Sequence, residues 1–166
     1  MQSVQLDKKR HDRKGFDCGV EALNNYLKLM ANQQSSKDNS RTYVLENSTD
    51  KNQIIGFYTL TMTSIDLQAL PHNLQKKHQN SNSAGLIARL AVDKRYAKQG
   101  HGAWLLIDSL KKLLEASDIV GFPIIVVDAK EGASDFYKQF GFVTFLDEEN
   151  RLFITVADIK SSFDVS

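Results

Sequence analysis

The chain has 166 residues, of which 42% are hydrophobic and 25% charged, and its 21 basic residues nearly balance its 20 acidic ones. These values are typical of one globular domain, and the net charge of +1 excludes a global bias toward nucleic acids or membranes. The single cysteine, Cys18, excludes an intrachain disulfide. We find neither a signal peptide nor the roughly 18 apolar residues of a membrane helix, so we expect a cytoplasmic protein.

The first half of the chain predicts a helix followed by a β-hairpin. Asp17 is a candidate N-cap for the helix. Four apolar residues then recur at helical spacing, namely Val20, Leu23, Leu27 and Met30. Arg41–Leu45 and Gln53–Met62 are predicted strands that pair in antiparallel fashion across a turn. After them the pattern weakens, with one or two short helical turns broken near Pro71.

The second half predicts strands that alternate with helices. The predicted strands are Leu86–Val92, Pro123–Val127, Phe142–Leu146 and Arg151–Val156, and the predicted helices are Ala103–Ala116 and Glu131–Phe140. The order β-α-β-β-β-α-β-α-β-β, with a first strand of undefined bounds, indicates an α/β or α+β fold with a mixed sheet. No internal linker or repeat divides it, so we expect a single domain over residues 1–166.

A glycine-bearing basic turn follows the predicted strand that ends at Val92. Gly100 and Gly102 flank His101 where a helix should begin. The free amides and partial positive charge of a helix start attract anions, and glycine lets the backbone approach them closely. Cations of the same turn add to this charge, namely Lys94, Arg95 and Lys98. The segment therefore predicts a pyrophosphate site, unless its glycines serve only a tight strand-to-helix turn.

The turn does not match the common nucleotide-binding patterns. Gly102 is followed by Ala103-Trp104-Leu105, which differs from the dinucleotide pattern Gly-x-Gly-x-x-Gly, and the Gly-Lys-Ser/Thr ending of a P-loop is absent. The chain also lacks a His/Cys/Asp/Glu cluster with metal-ligand spacing, so we expect no metal.

Two segments of the second half resemble the GNAT acetyltransferases. Ala88–Asp93 followed by Gln99–Gly102 resembles the acetyl-CoA motif of that family, and Asp135–Phe142 resembles its C-terminal signature, Phe-Tyr-x-x-x-Gly-Phe. The resemblance implies the GNAT-like acyl-CoA N-acyltransferase fold, with a mixed, mostly antiparallel sheet flanked by helices. One departure is Ala97, where the family usually has Arg or Gln.

The resemblance assigns cofactor contacts along this region. Leu90 and Val92 would contact the pantetheine arm through their backbone, and Lys98–Ala103 would hold the pyrophosphate. The predicted cofactor-binding residues are Leu90, Ala91, Val92, Arg95, Lys98, Gln99, Gly100, His101, Gly102 and Ala103. Backbone amides from Gln99 to Ala103 should carry most of the binding, with Arg95 and Lys98 secondary.

The front of the chain resembles one branch of the family, the toxins of toxin–antitoxin modules. Phe16–Leu27 and Ser40–Val44 carry this resemblance, which includes a Phe-x-Cys-Gly-x-x-x-Leu-x-x-Tyr-Leu pattern. It implies acetylation of the α-amine of aminoacyl-tRNA, which blocks translation. It also implies a ribbon-helix-helix antitoxin and a homodimer. Arg41 and Arg89 are predicted RNA contacts, and each has the alternative of an ordinary surface charge.

Tyr137 is the predicted catalytic residue, because the resemblance places the matching tyrosine near the cofactor sulfur. A thiol has a pKa near 8.5 and tyrosine near 10, so full proton transfer is uphill by roughly 2 kcal/mol and a hydrogen-bonding role is favoured. We interpret Cys18 as a packing residue rather than a nucleophile. His11, His72, His78 and His101 match no general-base position, and each is expected at the surface, with His101 as a spacer whose backbone N–H matters.

The absence of an evident base favours an α-amine acceptor. The pKa of an α-amine is about 7.7–8.0, whereas that of lysine is about 10.4, so far more of the α-amine is neutral near pH 7. Two alternatives stay open: a GNAT enzyme for a small amine or a protein N-terminus, and a catalytically silent acetyl-CoA-binding module.

Overall fold

The computed structural model describes residues 1–163, so the last three residues of the predicted domain lie outside the described part. The strands are β1 (Ser3–Gln5), β2 (Arg41–Glu46), β3 (Ile54–Ser64), β4 (Ser83–Val92), β5 (Ile124–Asp128), β6 (Val143–Thr144) and β7 (Arg151–Thr155). The α-helices are α1 (Glu21–Asn25), α2 (Ala31–Ser36), α3 (His72–Lys77), α4 (His101–Val120), α5 (Ser134–Lys138) and α6 (Val156–Phe163). A π-helical segment covers Tyr26–Met30, and 3-10 turns cover Leu67–Ala69 and Lys94–Tyr96.

The strands follow the order β1-β2-β3-β4-β5-β7-β6 in one mixed sheet. β4 and β5 pair in parallel, whereas β1 with β2, β2 with β3, β5 with β7 and β6 with β7 are antiparallel. The predicted hairpin of β2 and β3 and the predicted mixed, mostly antiparallel sheet are confirmed. β5 lies between two neighbouring strands and its four apolar residues are buried, as its unbroken apolar run predicts.

Two compact units can be distinguished in the chain, and the first contains residues 1–61 and 88–109. Its core contains a cluster of buried residues, namely Phe16, Tyr26, Leu27, Ala31, Val44, Ile54, Phe57 and Ala91. Cys18 packs against this cluster, in agreement with its interpretation as a packing residue. Gly56 allows β3 to approach β4 closely, because a Cβ atom there would lie 2.8 Å from the carbonyl oxygen of Ala91.

The second unit contains residues 62–87 and the chain from residue 110 onward. Its core is rich in aromatic rings, among them Phe145 and Phe153, whose centroids lie 5.0 Å apart. Gly85 lies under Phe122, since a Cβ atom at position 85 would come within 2.9 Å of that ring. The long connection between β3 and β4 forms the short helical turns predicted around Pro71, and the amide of Leu146 donates to the carbonyl of Ala69 at 3.0 Å.

The predicted start of the first helix is wrong, because Asp17 does not cap it. Gly19 has φ +86°, a left-handed conformation that interrupts the helical path, and α1 begins only at Glu21. The apolar spacing of this helix also does not match the buried residues at its end. The π-helical segment contains an extra residue, so that Ala31 is buried and Met30 is 47% exposed.

Several other boundaries differ from the prediction. Helix α4 begins two residues earlier than predicted and continues four residues further, to Val120, whereas α5 is limited to Ser134–Lys138. The C-terminal helix α6 was not expected. His11 is buried rather than at the surface, and its ring nitrogens have partners there: Nδ1 accepts from the amide of Asp7 at 2.9 Å, and Nε2 lies 2.7 Å from a Glu46 oxygen.

Candidate active site

The turn after β4 is organised around the buried carboxylate of Asp93, which is 1% exposed. Its oxygens accept hydrogen bonds from the amides of Asp17 and Arg95 at 3.0 and 2.9 Å. The Arg95 guanidinium also holds it with two bonds, Nε at 3.0 Å and Nη2 at 2.9 Å. Burial alone would raise the pKa of Asp93, but these hydrogen bonds outweigh burial and hold it below the usual value.

Asp17 braces the same turn from the front of the chain. Its carboxylate accepts from the amide of Gly19 and from Asn24, both at 2.9 Å, and pairs with Lys94 at 3.0 Å. The Gly19 hydrogen bond, followed by those of Asn24 and Lys94, lowers the pKa of Asp17 from 3.8 to about 2. The Asp17 carbonyl also accepts from the amide of Lys94. The motif that resembles the toxin branch therefore supports the predicted phosphate turn.

Helix α4 begins at His101 with the geometry that an anion site requires. The amide of Trp104 donates to the carbonyl of Gly100 at 3.1 Å, which leaves the amides of residues 101–103 without an acceptor inside the helix. Gly100 has φ +82°, and Lys98 has φ +61°, a left-handed conformation that is unusual for a residue with a side chain. Backbone of this kind gathers at ligand sites.

Arg95 and Lys98, the two predicted secondary cations, differ in their environment. Arg95 is committed to Asp93, and its pKa is raised chiefly by that hydrogen-bonded pair. Lys98 is exposed and makes no ion pair with the described residues. Beside them, Leu90 and Val92 are half-buried and pack their side chains against a cluster that includes Tyr58 and Leu105. The prediction that these residues bind a cofactor stays a prediction.

Tyr137 lies in the second unit, on α5. It is 5% exposed, and its ring contacts Phe136 and Phe142 edge-on, with centroids 5.1 and 5.8 Å away. Burial raises the pKa of Tyr137 to about 12. The hydroxyl therefore stays protonated at neutral pH and can donate a hydrogen bond, whereas it is a poor source of a fully transferred proton.

The two predicted RNA contacts differ as well. Arg41 is used inside the protein, since its Nη2 pairs with Asp38 at 2.6 Å and its Nη1 donates to the carbonyls of Ser35 and Ser40 at 2.9 and 3.1 Å. Arg89 is half-buried, and its guanidinium carbon lies 3.8 Å from the centroid of the Tyr26 ring. Arg89 thus has the more available donors.

The structure adds two residues that sequence reasoning missed, Asp93 and Tyr26. Asp93 follows a buried strand and precedes a basic turn, a position typical of a side chain that caps a turn. For Tyr26 the only signal was its place in the front motif, because the π-helical turn that begins with it has no sequence signature in a single chain. Among residues 1–163 we find no group of three metal-ligating side chains and no helix long and apolar enough to cross a membrane.

Comparison with known proteins identifies the family of the chain. The family model described as "Acetyltransferase (GNAT) domain" matches residues 12–160. The probable toxin TacT of Sinorhizobium fredii is 32% identical over 166 residues, which cover 94% of this chain and 91% of that protein. A tRNA-acetylating toxin of Mycobacterium tuberculosis is 26% identical over 151 residues, covering 90% of this chain and 89% of the toxin.

Solved structures agree with this assignment. A tyrosine-to-phenylalanine mutant of KacT has a TM-score of 0.89 at 31% identity, with 98% of both chains covered. AtaT complexed with acetyl-methionyl-tRNA has a TM-score of 0.87 at 31% identity over 98% of both chains. Mutant AtaT bound to acetyl-CoA and the C-terminus of the antitoxin AtaR has a TM-score of 0.82 at 29% identity, again with 98% coverage of both. The chain therefore belongs to the GNAT acetyltransferase family.

Proposed function

We propose that this chain is an acetyl-CoA-dependent N-acetyltransferase that acts as a toxin by acetylating the α-amine of aminoacyl-tRNA and so blocking translation. The observation that carries this proposal is the similarity, over nearly the full length of both chains, to AtaT in complex with acetyl-methionyl-tRNA. A relative named as a tRNA-acetylating toxin and a structure that holds acetyl-CoA support it further.

The residues at the start of α4 fit the pyrophosphate of acetyl-CoA. Three amides, of His101, Gly102 and Ala103, have no acceptor within the helix, and the left-handed Gly100 leaves open space where a side chain would stand. Lys98 adds an exposed positive charge. In this proposal the backbone of Leu90–Val92 receives the pantetheine arm and the amides receive the pyrophosphate.

The chemistry of the proposed reaction places few demands on the side chains. The neutral α-amine attacks the thioester carbonyl, a C–N bond forms as the C–S bond breaks, and the amine proton leaves to solvent. An α-amine with a pKa of about 7.7–8.0 is neutral in a useful fraction at pH 7, so no strong general base is needed.

Tyr137 serves as hydrogen-bond donor to the thiolate that leaves. With a pKa of about 12 for Tyr137 and about 8.5 for a thiol, complete proton transfer would be uphill by roughly 5 kcal/mol. A hydrogen bond from the hydroxyl can still stabilise the charge that develops on sulfur. The raised pKa therefore favours stabilisation over proton transfer more strongly than the sequence alone suggested.

The proposal includes partners and location. A cytoplasmic toxin of this kind would be held inactive by an antitoxin, since AtaT is bound to AtaR in one solved neighbour. We propose a ribbon-helix-helix antitoxin, a homodimeric toxin and a single domain over residues 1–166. Size-exclusion chromatography with light scattering tests the dimer, and co-expression with the product of a small neighbouring gene tests the antitoxin.

Mass spectrometry of aminoacyl-tRNA is the direct test. The purified chain is incubated with acetyl-CoA and total aminoacyl-tRNA, and the aminoacyl-adenosine released by nuclease is examined for N-acetylation. We expect acetylated ends on one or a few tRNA species, and none with Tyr137→Phe over the same time. Faster acetylation of a lysine peptide, a protein N-terminus or a small amine would contradict the choice of acceptor. Acetyl-CoA binding without transfer to any of these acceptors would contradict an enzymatic role.

A further inference from the structure

The guanidinium of Arg89 differs from every other arginine of the chain. The other five each have an acceptor within the protein: Arg10 pairs with Glu46, Arg13 with the carbonyl of Lys28, Arg41 with Asp38, Arg95 with Asp93 and Arg151 with Asp128. Among the arginines within residues 1–163, only the Arg89 side chain makes no hydrogen bond or ion pair. Its donors are therefore available to a ligand although the side chain is half-buried.

Tyr26 holds the guanidinium plane in place. The carbon of the guanidinium lies 3.8 Å from the ring centroid, the geometry of a cation–π stack. Tyr26 is 5% exposed, and its hydroxyl lies 3.4 Å from Ser40 Oγ. The ring is thus fixed by the core behind it, and the stack leaves the N–H edge of Arg89 free.

The backbone on both sides explains the pairing. Arg89 and Ala91 are two residues apart on β4, so they share one face of the strand, and Ala91 packs in the same cluster as Tyr26. On the helical side, the amide of Ala31 donates to the carbonyl of Tyr26, five residues earlier, as in a π-helix. Tyr26 is thus the first residue of this wide turn, and its ring lies under Arg89.

We propose that Arg89 binds a phosphate of the RNA acceptor and that Tyr26 is a positioning residue that presets the guanidinium for it. A planar guanidinium with free N–H groups matches a phosphate with two parallel hydrogen bonds, which an ammonium group cannot reproduce. Phosphate contacts position an RNA without reading its bases. This inference rests on the proposed function and names, for that function, the residues that hold the RNA.

The test compares two acceptors that carry the same amino acid. One is the aminoacyl-tRNA that the wild-type chain acetylates best, and the other is the corresponding aminoacyl-adenosine, which has no phosphate. We expect Arg89→Gln to raise KM for the tRNA by roughly tenfold or more and to leave the rate with aminoacyl-adenosine unchanged. The slope of log kcat/KM against log salt should become shallower by roughly 0.7–0.9, the loss of one phosphate contact.

Conservative variants separate positioning from folding. Arg89→Lys should keep the salt slope but still raise KM several-fold, because the charge remains and the fork is lost. Tyr26→Phe should behave as wild type, whereas Tyr26→Leu should move KM and the slope toward the values of Arg89→Gln. If thermal unfolding shows that Tyr26→Leu does not fold, the Arg89 variants alone test the inference. Arg151→Gln removes an arginine already paired with Asp128 and should leave the slope unchanged.

Equal losses of Arg89→Gln on both acceptors, or a salt slope that does not change, would overturn this inference while leaving the proposed function intact. A wild-type chain that acetylates no aminoacyl-tRNA would overturn the proposed function first, and the inference with it. Affinity for acetyl-CoA, measured by calorimetry, should be the same in wild type and both Arg89 variants.

Discussion

The start of helix α4 and the short helix α5 are built in opposite ways. At α4 the backbone is held by charge and hydrogen bonds, with buried Asp93 joining the amide of Asp17 to the side chain of Arg95. At α5, Tyr137 is held by aromatic rings, and burial is the cause of its raised pKa. The first arrangement is suited to binding an anion through the backbone, and the second to keeping one hydroxyl protonated in a dry setting. Binding and chemistry should therefore be separable by mutation.

Tyr137→Phe should have the largest effect on chemistry. Loss of the hydroxyl removes stabilisation of the leaving thiolate, so we expect kcat to fall by roughly 10²–10⁴-fold. Affinity for acetyl-CoA should stay the same, because the ring and its packing remain. Steady-state kinetics and calorimetry measure the two quantities, and Tyr43→Phe on β2 controls for loss of a tyrosine hydroxyl. A large loss of acetyl-CoA affinity in Tyr137→Phe would end the proposed separation.

The pH profile tests the same assignment without mutation. Since the pKa of Tyr137 is about 12, its hydroxyl stays protonated through the accessible alkaline range. The value of kcat/KM should rise through the α-amine pKa of about 7.7–8.0 and then stay level to roughly pH 10. A decline between pH 8 and 10, absent from Tyr137→Phe, would show that Tyr137 ionises there.

Asp93→Asn should lower the free energy of unfolding, because Asp93 holds the turn before helix α4. The folded-state pKa of Asp93 lies below the unfolded value near 3.9. The contribution of Asp93 to stability is therefore fully present above the unfolded pKa and is lost as the pH falls through the folded pKa. We expect the variant to lose about 1–3 kcal/mol of unfolding free energy at pH 7, because charged hydrogen bonds disappear. The difference from wild type should shrink below pH 4 in urea unfolding experiments. A constant difference down to pH 2 would contradict the ionised pair.

Gly100→Ala should weaken the binding of acetyl-CoA by about tenfold. The φ of +82° disfavours a side chain, and a shift of this backbone would misalign at least one amide. Gly121→Ala is the matched control at the other end of α4, since Gly121 has φ +73° and also has nothing within 4 Å of a Cβ position. Both variants should lose about 1 kcal/mol of stability, but only Gly100→Ala should lose affinity in calorimetry. Equal affinities would place the pyrophosphate elsewhere.

Ala97→Arg should have the smallest effect, and in the opposite direction. It restores the residue that the family usually carries three positions before the first glycine, and Ala97 is exposed. An exposed ion pair between the added guanidinium and a phosphate is worth about 0.2–1 kcal/mol, so the dissociation constant for acetyl-CoA should fall by at most roughly fivefold. Ala97→Gln tests the other residue common at this position. No gain in either variant would indicate that the backbone amides already satisfy the phosphates.

The sequence predicted the elements that are determined by neighbouring residues, and it did not predict contacts between residues far apart in the chain. The apolar run of β5 and the regularly spaced leucines of α4 determine their elements through neighbouring residues, and both were found with small boundary errors. Burial of His11 could not be predicted, because its partner Glu46 lies 35 residues away. Asp17 satisfied every local criterion for an N-cap, yet the left-handed Gly19 turned its carboxylate to brace Lys94 instead.

In the candidate site, too, the sequence predicted the features made of consecutive residues but not the side-chain pairs. The glycines and the helix start at His101 were evident in the sequence, because the proposed anion site at this helix end is made of consecutive residues. That Arg95 would be bound by Asp93, and Arg41 by Asp38, depended on side-chain geometry that spacing cannot resolve. The sequence thus indicated where positive charge is concentrated, and only the structure showed which charges remain available.

The π-helical segment Tyr26–Met30 has a consequence for the comparison of related sequences. A π turn holds one residue more than the α-helical turn it replaces, so it corresponds to a single-residue insertion in an alignment. In a relative that is one residue shorter in this helix, the later helical residues would be rotated by about 100° and would present a different side chain to the strand. Alignments that place a gap in this helix should therefore be checked for a matching change at Val44 and Ala91, which share the core cluster of Ala31, the residue after the π turn.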